Sequence, residues 1–198
     1  MNKKELKEKI KILGQEQEWN HQYELAEGVF TRSSNVDSPG YNTHKWKRLE
    51  PIFSDLGIEG KTILDVGSSD GFYAIECAKM GARVMGIEID KIRVERAEFV
   101  KNYLKQDNVE FSSEDLYDFD HEKFDIIISN PPYIKTSDIK NLENEVKFYD
   151  PLIALNGGLN GLRCFERIAT NAKFYLKQNG IILLEIGFGQ INPVEKIF

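Results

Sequence analysis

The sequence predicts an α/β fold in three layers, with helices on both faces of a mostly parallel sheet. From Lys61 onward, short β-branched runs alternate with helical segments, which is the pattern of successive βαβ units. The chain has 198 residues, enough for one compact domain or slightly more, and its 41% hydrophobic and 29% charged content excludes a disordered chain. We expect strands at about 61–66, 83–88, 108–112, 124–129 and 181–186, and helices at about 71–80, 91–105 and 161–178. Gly81 and Gly180 are expected to cap two of these helices at their C-termini.

The N-terminal part of the chain lacks this alternation. Residues 1–18 carry apolar side chains at helical spacing between lysines and glutamates, and a second helix is expected from about 42 to 56. Between them, the segment 31–40 is rich in turn-forming residues and predicts a loop. We therefore divide the chain into a helical and loop extension, residues 1–58, and a domain formed by residues 59–198.

Composition and charge restrict the location and the partners. Thirty-two acidic against 26 basic residues give a net charge of −6, which does not favour a protein that holds nucleic acid through a basic face. No apolar run approaches the roughly 18 residues of a membrane span, and the charged first ten residues lack the apolar core of a signal peptide. We therefore expect a cytoplasmic protein. The two cysteines and three histidines show no metal-ligand spacing, so no metal is expected.

A glycine-containing turn follows the first strand of the alternating region, in Ile63-Leu-Asp-Val-Gly-Ser-Ser-Asp-Gly-Phe-Tyr-Ala-Ile75. The strand should end at Val66 and a helix should begin near Gly71, so that backbone N–H groups point at a ligand. Twenty-one residues after Gly67, the second strand ends at Glu88, whose carboxylate can accept both hydroxyls of a ribose. The pattern predicts a nucleotide-type ligand across the ends of these two strands.

The spacing of glycines in this loop restricts the class of ligand it can bind. Gly67-x-Ser69-x-Gly71 is not the Gly-x-Gly-x-x-Gly of dinucleotide sites, and no Gly-Lys-Ser/Thr is present for a triphosphate. Asp65, two positions before the first glycine, suits a cationic ligand. S-adenosylmethionine combines a ribose and an adenine with an ammonium and a sulfonium, and it therefore fits this loop. The alternative is a glycine-rich turn that binds nothing.

The tetrapeptide Asn130-Pro131-Pro132-Tyr133 follows the fourth strand directly. Its two prolines donate no backbone hydrogen bond, so carbonyl oxygens of the loop are left as acceptors. The Asn130 side-chain oxygen and the Pro131 carbonyl could accept both hydrogens of a planar –NH₂ group, and Tyr133 could stack on that group. This arrangement would orient a weakly nucleophilic nitrogen towards a methyl donor, by proximity and orientation. The structural alternative is a Pro-Pro turn that closes the strand.

The glycine loop and the following acidic residue resemble motif I and the acidic motif of class I S-adenosylmethionine-dependent methyltransferases. The resemblance implies a Rossmann-like three-layer sandwich with S-adenosyl-L-methionine as cofactor. The cofactor-binding residues it implies are Asp65, Gly67 and Ser69 at the methionine end, Gly71 in the same loop, Glu88 at the ribose, Asp115 at the adenine amino group, and Asn130. The catalytic residues it implies are Asn130, Pro131, Pro132 and Tyr133.

From about Phe124 onward the sequence is similar to those of the HemK-type release factor glutamine methyltransferases. The resemblance is carried by Ile126-Ile-Ile-Ser-Asn-Pro-Pro-Tyr-Ile134, Leu142-Glu-Asn-Glu-Val146, Tyr149-Asp-Pro151, Ala154-Leu-Asn-Gly-Gly-Leu-Asn-Gly-Leu162 and Leu184-Glu-Ile-Gly-Phe-Gly-Gln190. It implies methylation of a glutamine amide in the Gly-Gly-Gln loop of a peptide chain release factor, which would be the protein partner. Amino-methylation of RNA or DNA, and an inactive cofactor-binding protein, remain alternatives.

Three features depart from that family. HemK-type enzymes carry a helical N-terminal domain that engages the release factor, whereas residues 1–60 here are shorter and look different. Trp46-Lys-Arg-Leu, residues 61–75 and Gly81-Ala-Arg-Val-Met-Gly-Ile87 are more similar to the methyltransferase-like group that carboxymethylates wobble uridine. The class I fold also usually ends in a β-hairpin after the fifth strand, and only Phe188 to Phe198 remain here. We therefore expect that the hairpin is missing and that the fifth strand forms an open edge of the sheet. An open edge tends to be covered, so we expect an oligomer, an N-terminal segment that covers the strand, or a truncated chain.

Overall fold

A computed structural model describes residues 1–32, 41–119, 122–142 and 152–198. In chain order the elements are α1 (Lys3–Leu13), β1 (Glu24–Ala26), β2 (Val29–Phe30), α2 (Tyr41–Asp55), β3 (Thr62–Val66), α3 (Phe72–Lys79), β4 (Arg83–Ile87), α4 (Lys91–Leu104), β5 (Val109–Ser112), β6 (Phe124–Ser129), a 3₁₀ turn (Ile139–Asn141), α5 (Leu152–Leu155), α6 (Arg163–Tyr175), β7 (Leu176–Leu184) and α7 (Ile191–Glu195). The predicted three-layer α/β fold is confirmed. The predicted loop 31–40 lies outside the described residues from position 33 onward.

Five parallel strands form the central sheet in the order β5-β4-β3-β6-β7. The inner strands β3 and β6 are apolar runs whose side chains are buried on both faces, as expected of a parallel sheet between helical layers. On one face, Ile63 and Ile126 pack with residues of α1 to α4, and on the other face Leu64 and Ile127 pack with residues of α6. The core is therefore two apolar layers that meet at the sheet.

The N-terminal extension shares the larger of these layers. Leu6, Ile10 and Leu13 form the buried stripe of α1 and belong to the same apolar cluster as β3. The helix begins with a capping box between Asn2 and Glu5 and ends at Leu13, five residues earlier than predicted. It is followed by the small antiparallel hairpin of β1 and β2, which the sequence did not indicate.

The predicted C-terminal cap at Gly180 is wrong, because α6 ends before that residue. Gly81 follows the C-cap of α3 in the left-handed region, as predicted, but Gly180 caps no helix. The helix α6 ends at Tyr175, and β7 begins at the next residue, Leu176. Gly180 lies within β7, four residues after Leu176. The ladder pairs Phe124 with Leu176 and then Ile126 with Ile181, so Gly180 is part of an irregular insertion in the strand. A Cβ at Gly180 would come within 3.0 Å of the Lys177 carbonyl oxygen, as well as 2.8 Å from the end of the Leu176 side chain, and this close approach of the backbone favours glycine there.

In the described part of the chain, β7 pairs only with β6 and forms one edge of the sheet. Its apolar residues from Ile181 to Leu184 are only half buried. The open edge predicted from the sequence is thus present, and a covering partner remains a prediction. Among the described residues, no helix combines the length and apolar character needed to cross a membrane.

Candidate active site

Sheet topology brings the two predicted motifs to one edge. Val66 at the end of β3 pairs with Ser129 at the end of β6, and the Ser129 hydroxyl donates to the Val66 carbonyl at 2.7 Å. The glycine loop and the Asn-Pro-Pro-Tyr loop therefore leave adjacent strands in the same direction. On the other side of β3, β4 ends at Ile87, so Glu88 emerges at the same edge. This carboxyl edge is where open α/β sheets bind ligands.

The two glycines of the loop have different physical roles. Both have left-handed backbones, with φ of +75° at Gly67 and +81° at Gly71. A Cβ at Gly67 would meet no atom within 4 Å, so the backbone there faces open space. A Cβ at Gly71 would come within 2.5 Å of the Phe111 ring, so this glycine is required by packing at the start of α3. Of the two, Gly67 is thus the position where a ligand can approach the backbone closely.

Ser69 occupies a left-handed conformation without being glycine, with φ of +53°. Its backbone N–H donates to the Glu88 carboxylate at 3.0 Å, and its hydroxyl accepts from Arg93 at 3.4 Å. These bonds hold the residue in a backbone region that costs an L-amino acid about 1 kcal/mol or more.

Asp65 is buried at the end of β3, and its Oδ2 atom has no hydrogen-bond partner. Burial raises the pKa of this carboxyl to about 7, and the neighbouring Glu88 carboxylate adds to the rise. An unpartnered buried acceptor is costly unless a ligand group satisfies it. A cationic ligand beside Gly67 would supply that group, so these residues fit the cofactor that the sequence predicts.

Glu88 is buried and fixed by its neighbours. Its two oxygens accept from the backbone N–H groups of Ser69 and Asp90, each at 3.0 Å. Each carboxylate oxygen can accept a further hydrogen bond, so the side chain stays competent to receive ribose hydroxyls. The same bonds tie the end of β4 to the glycine loop.

A buried polar cluster lies beneath the glycine loop, and the sequence did not predict it. The Asp70 carboxylate accepts from the backbone N–H groups of Asn20 and His21, at 2.5 and 3.2 Å, and lies 3.7 Å from the Arg96 guanidinium. Burial raises the pKa of Asp70, against the opposing effect of Arg96. Burial also lowers the pKa of His21 to about 3, so its imidazole is neutral. The N-terminal segment is thus fastened to the glycine loop.

Arg96 completes that cluster from α4. Its guanidinium is fully buried and donates to the carbonyls of Leu13, Gln17 and Glu18. A signal for this role was available, because Arg96 stands at helical spacing to Val100 on the apolar face of α4. An arginine on such a face needs buried acceptors.

Asn130 is exposed directly after β6, and the following Pro131 is buried. The structure thus places Asn130 where a ligand can reach it. The Asn-Pro-Pro-Tyr loop is held in place by hydrogen bonds to the segment at the end of α5 and just after it. The Ile134 N–H donates to Leu155, and the Gly157 N–H donates back to the Ile134 carbonyl. A Cβ at Gly157 would come within 2.8 Å of the Pro132 carbonyl, so only glycine allows this approach.

Asp115 lies after β5, at the far side of β4. Its carboxylate accepts from Arg167 at 3.0 and 3.2 Å and from the Tyr117 backbone, while the Arg167 guanidinium lies 4.5 Å over the Tyr117 ring. The sequence did not indicate this cation partner. Contact of Asp115 with an adenine amino group stays a prediction.

A groove of about 650 Å³ opens beside Tyr133. Its apolar lining includes Leu159 and Phe188, both of which are almost fully exposed, and its polar lining includes Lys135 and Gln190. The residues 143–146 and 149–151, which carry part of the sequence resemblance, lie outside the described residues, as does His121. Among the described residues, no group of acidic, histidine and cysteine side chains could hold a metal ion.

Comparisons with known proteins show the family of the chain. Residues 58–187 match a family model described as a methyltransferase domain. The chain is 38% identical over 141 residues to a release factor glutamine methyltransferase of Thermodesulfovibrio yellowstonii, covering 70% of this chain and 50% of that protein. It is 36% identical over 162 residues to a bifunctional methyltransferase of Rickettsia prowazekii, covering 79% of this chain and 31% of that protein. The chain thus spans about a third to a half of the length of these relatives.

The fold is shared with solved structures at low identity. A ribosomal protein L11 methylase from Lactobacillus delbrueckii subsp. bulgaricus superposes with a TM-score of 0.57 at 18% identity, over 78% of this chain and 67% of that one. A methyltransferase from Pyrococcus furiosus gives 0.57 at 15% identity, over 83% and 74%. These likenesses confirm the Rossmann-like sandwich, and the family model covers most of the chain. The chain belongs to the class I S-adenosylmethionine-dependent methyltransferases, and S-adenosylmethionine is its cofactor.

Proposed function

We propose that this enzyme methylates the side-chain amide nitrogen of a glutamine in a peptide chain release factor. The observation that carries the proposal is the position of Asn130, exposed at the end of the strand next to the glycine loop. The relatives named release factor glutamine methyltransferase support the same substrate. Because translation factors act in the cytoplasm, the proposal agrees with the cytoplasmic location expected from the sequence.

The residues proposed to hold the cofactor surround the open backbone at Gly67. The Asp65 carboxylate, whose Oδ2 atom has no hydrogen-bond partner, would face the cationic methionine end, and Glu88 would accept the ribose hydroxyls. Ser69 and Gly71 would shape the loop between them, and Asp115 would lie at the adenine end. When bound, S-adenosylmethionine supplies an electrophilic methyl group.

The tetrapeptide loop would orient the substrate. The Asn130 side-chain oxygen and the Pro131 carbonyl would accept the two amide hydrogens, and Pro132 would keep the loop stiff. Tyr133 would pack on the amide plane. The amide nitrogen would gain the methyl group and release one proton to solvent, so neither the methylated amide nor the thioether that remains of the donor carries the charge. Orientation is the principal contribution of these residues, and in favourable geometry it is worth about 7–11 kcal/mol.

The surroundings of the loop favour a protein substrate. The groove beside Tyr133 is large enough for a side chain with its flanking backbone, and the exposed Leu159 and Phe188 offer apolar contacts to such a loop. The net charge of −6 opposes the binding of a polyphosphate backbone.

A methyl-transfer assay tests the proposal. The full chain is incubated with S-adenosylmethionine labelled in the methyl group and offered a release factor and tRNA side by side. We expect label in the release factor, at the glutamine of its Gly-Gly-Gln loop, and labelling slowed by about 10²–10³-fold after Asn130→Ala. Label in the tRNA would instead support RNA amino-methylation, and cofactor binding without transfer to either would support an inactive binding protein.

A further inference from the structure

The segment Glu185–Gln190 follows β7 and lies against the tetrapeptide loop. We propose that this segment is a frame that positions Tyr133, with Glu185 as the positioning residue for the tyrosine hydroxyl. The inference rests on the proposed function, in which the Tyr133 ring packs on the substrate amide. It assigns a role to a sequence motif that the glycine loop and the tetrapeptide leave unexplained.

Three contacts from this frame meet three different parts of Tyr133. The Gln190 side-chain amide donates to the Tyr133 backbone carbonyl at 3.1 Å. A Cβ at Gly187 would come within 3.0 Å of the Tyr133 ring, so the backbone of the frame lies close against the ring edge. The tyrosine hydroxyl donates to the Glu185 carboxylate at 3.4 Å. Backbone, ring and hydroxyl are thus each located by the same six residues.

The frame is itself fixed. The Glu185 N–H donates to the Ser129 carbonyl at 3.0 Å, which continues the pairing of β6 and β7 to the position just before Asn130. Further along, the Gly187 N–H donates to the Gln190 side-chain oxygen at 2.9 Å, and the Gln190 N–H donates back to the Gly187 carbonyl at 3.1 Å. This closed turn gives the Gln190 amide a single orientation, with its NH₂ group towards Tyr133.

Lys45 fixes the Glu185 carboxylate from the other side. Its ammonium lies 2.8 and 3.2 Å from the two carboxylate oxygens, and both side chains are about 30% exposed. A cation shared by both oxygens restricts rotation of the carboxylate. Since Lys45 belongs to α2, the N-terminal extension supplies a contact that holds the frame.

Fixing a tyrosine at its hydroxyl sets the direction of its side chain. The hydroxyl oxygen lies on the axis of the second rotatable bond, so an anchored carbonyl and an anchored hydroxyl fix the first rotation, and the Gly187 backbone against the ring edge restricts rotation of the ring plane. A ring that packs on a planar amide must hold that plane during the reaction, because a misplacement of about 1 Å can cost about 10²-fold in rate. Glu185 therefore acts through Tyr133 and need not touch the substrate.

Kinetics of paired variants test the inference. Glu185→Ala should lower kcat for the release factor at least about 10-fold, with the dissociation constant of the cofactor changed less than about twofold. Glu195→Ala, the same substitution on the exposed face of α7, should leave kcat unchanged. In a Tyr133→Phe background, Glu185→Ala should cause less than about a twofold further loss, because the hydroxyl it positions is gone. Equal losses in both backgrounds would overturn the role, since a merely structural residue would behave that way.

A spectroscopic measurement separates this inference from the proposed function. With 3-fluorotyrosine placed at position 133, Glu185→Ala and Lys45→Met should each shift the fluorine resonance, whereas Glu195→Ala should not. If the wild-type chain labels no release factor, the proposed substrate is wrong, and the resonance still reports on the frame. A resonance that does not respond to Glu185→Ala would show that Glu185 does not position Tyr133.

Discussion

Arg96 and Asp70, both fully buried, form an ion pair that joins α4 to the glycine loop at 3.7 Å. The same arginine donates to one carbonyl at the end of α1 and to two in the segment after it, and the same aspartate accepts from Asn20 and His21 in that segment. The N-terminal extension is thus attached to the loop that is proposed to bind the cofactor. This attachment links the stability of the extension to the order of the loop.

Breaking this pair should destabilise the protein strongly. Arg96→Met leaves the Asp70 carboxyl and several carbonyls without a buried partner, and such losses cost about 3–5 kcal/mol. Denaturant unfolding should show this decrease, and hydrogen exchange should show lost protection at Asn20 and His21. Lys79→Met, which breaks the solvent-exposed pair with Glu76, should cost less than about 0.5 kcal/mol. Similar costs for the two variants would contradict a structural role for Arg96.

Asn130→Ala should lower turnover by about 10²–10³-fold, the range observed when one oriented polar group is removed from an active site. Its effect on cofactor affinity should be small, because the glycine loop and Glu88 are untouched. Steady-state kinetics and calorimetric titration with the cofactor measure the two quantities. Asn192→Ala, on the exposed surface of α7, is the matched control. Turnover near the wild-type value would remove Asn130 from the chemistry.

The raised pKa of Asp65 predicts a pH dependence. Burial and Glu88 place this pKa near 7, above its ordinary value of 3.8, so the folded protein without ligand holds a proton that the unfolded chain has released. The stability contributed by this proton is present below about pH 4 and is lost as the pH rises through 7. Asp65→Asn should therefore raise the melting temperature more at pH 8 than at pH 5.

The affinity for the cofactor should rise with pH, whereas the stability contributed by the Asp65 proton falls. A cationic ligand favours the ionised form of Asp65, so affinity should rise by up to about tenfold per pH unit below pH 7 and level off above it. Calorimetric titration in buffers of different ionisation enthalpy should detect nearly one proton released on binding at pH 6 and almost none at pH 8. Asp65→Asn should give a flat profile. A rise of the same slope in that variant would assign the proton to another group.

Local patterns were sufficient to predict the sheet and the positions of both motif loops. The apolar runs of β3 and β6 and the rule that parallel strands end at one edge place Gly67 and Asn130 together. The sequence did not reveal the partners of these loops, because those partners are distant along the chain. Lys45 and Glu185 are 140 residues apart, and neither lies in a pattern that predicts pairing.

The error at Gly180 has a similar origin. A glycine after an amphipathic run is typical of a helix C-cap, but here α6 ends at Tyr175 and β7 already begins at Leu176, before the glycine. The requirement to pair Leu176 with Phe124 overrides the local signal. The boundary drawn at residue 58 reflects a change of local pattern, whereas Leu6 and Ile63 on either side of it share one apolar cluster.

The two loop glycines allow a sharp test of which position serves the cofactor. Gly67→Ala adds a methyl group to open space, so it should cost only about 1 kcal/mol, for the left-handed backbone, while weakening cofactor binding. Gly71→Ala adds the same strain and also forces a Cβ within 2.5 Å of the Phe111 ring, so it should destabilise by about 2–4 kcal/mol. Denaturant unfolding and cofactor titration of both variants measure the contrast.

A second substitution checks the cause of the larger effect. Phe111→Leu removes the ring atoms that a Cβ at Gly71 would meet, so Gly71→Ala should cost about 1–2 kcal/mol less in that background than in the wild type. The same background should leave the cost of Gly67→Ala unchanged, because no Phe111 atom lies within 4 Å of its Cβ position. If Gly71→Ala were equally costly with leucine at 111, the close contact with the ring would not be the reason for the glycine. If Gly67→Ala bound the cofactor as well as the wild type does, the open backbone at Gly67 would not be the point of cofactor approach.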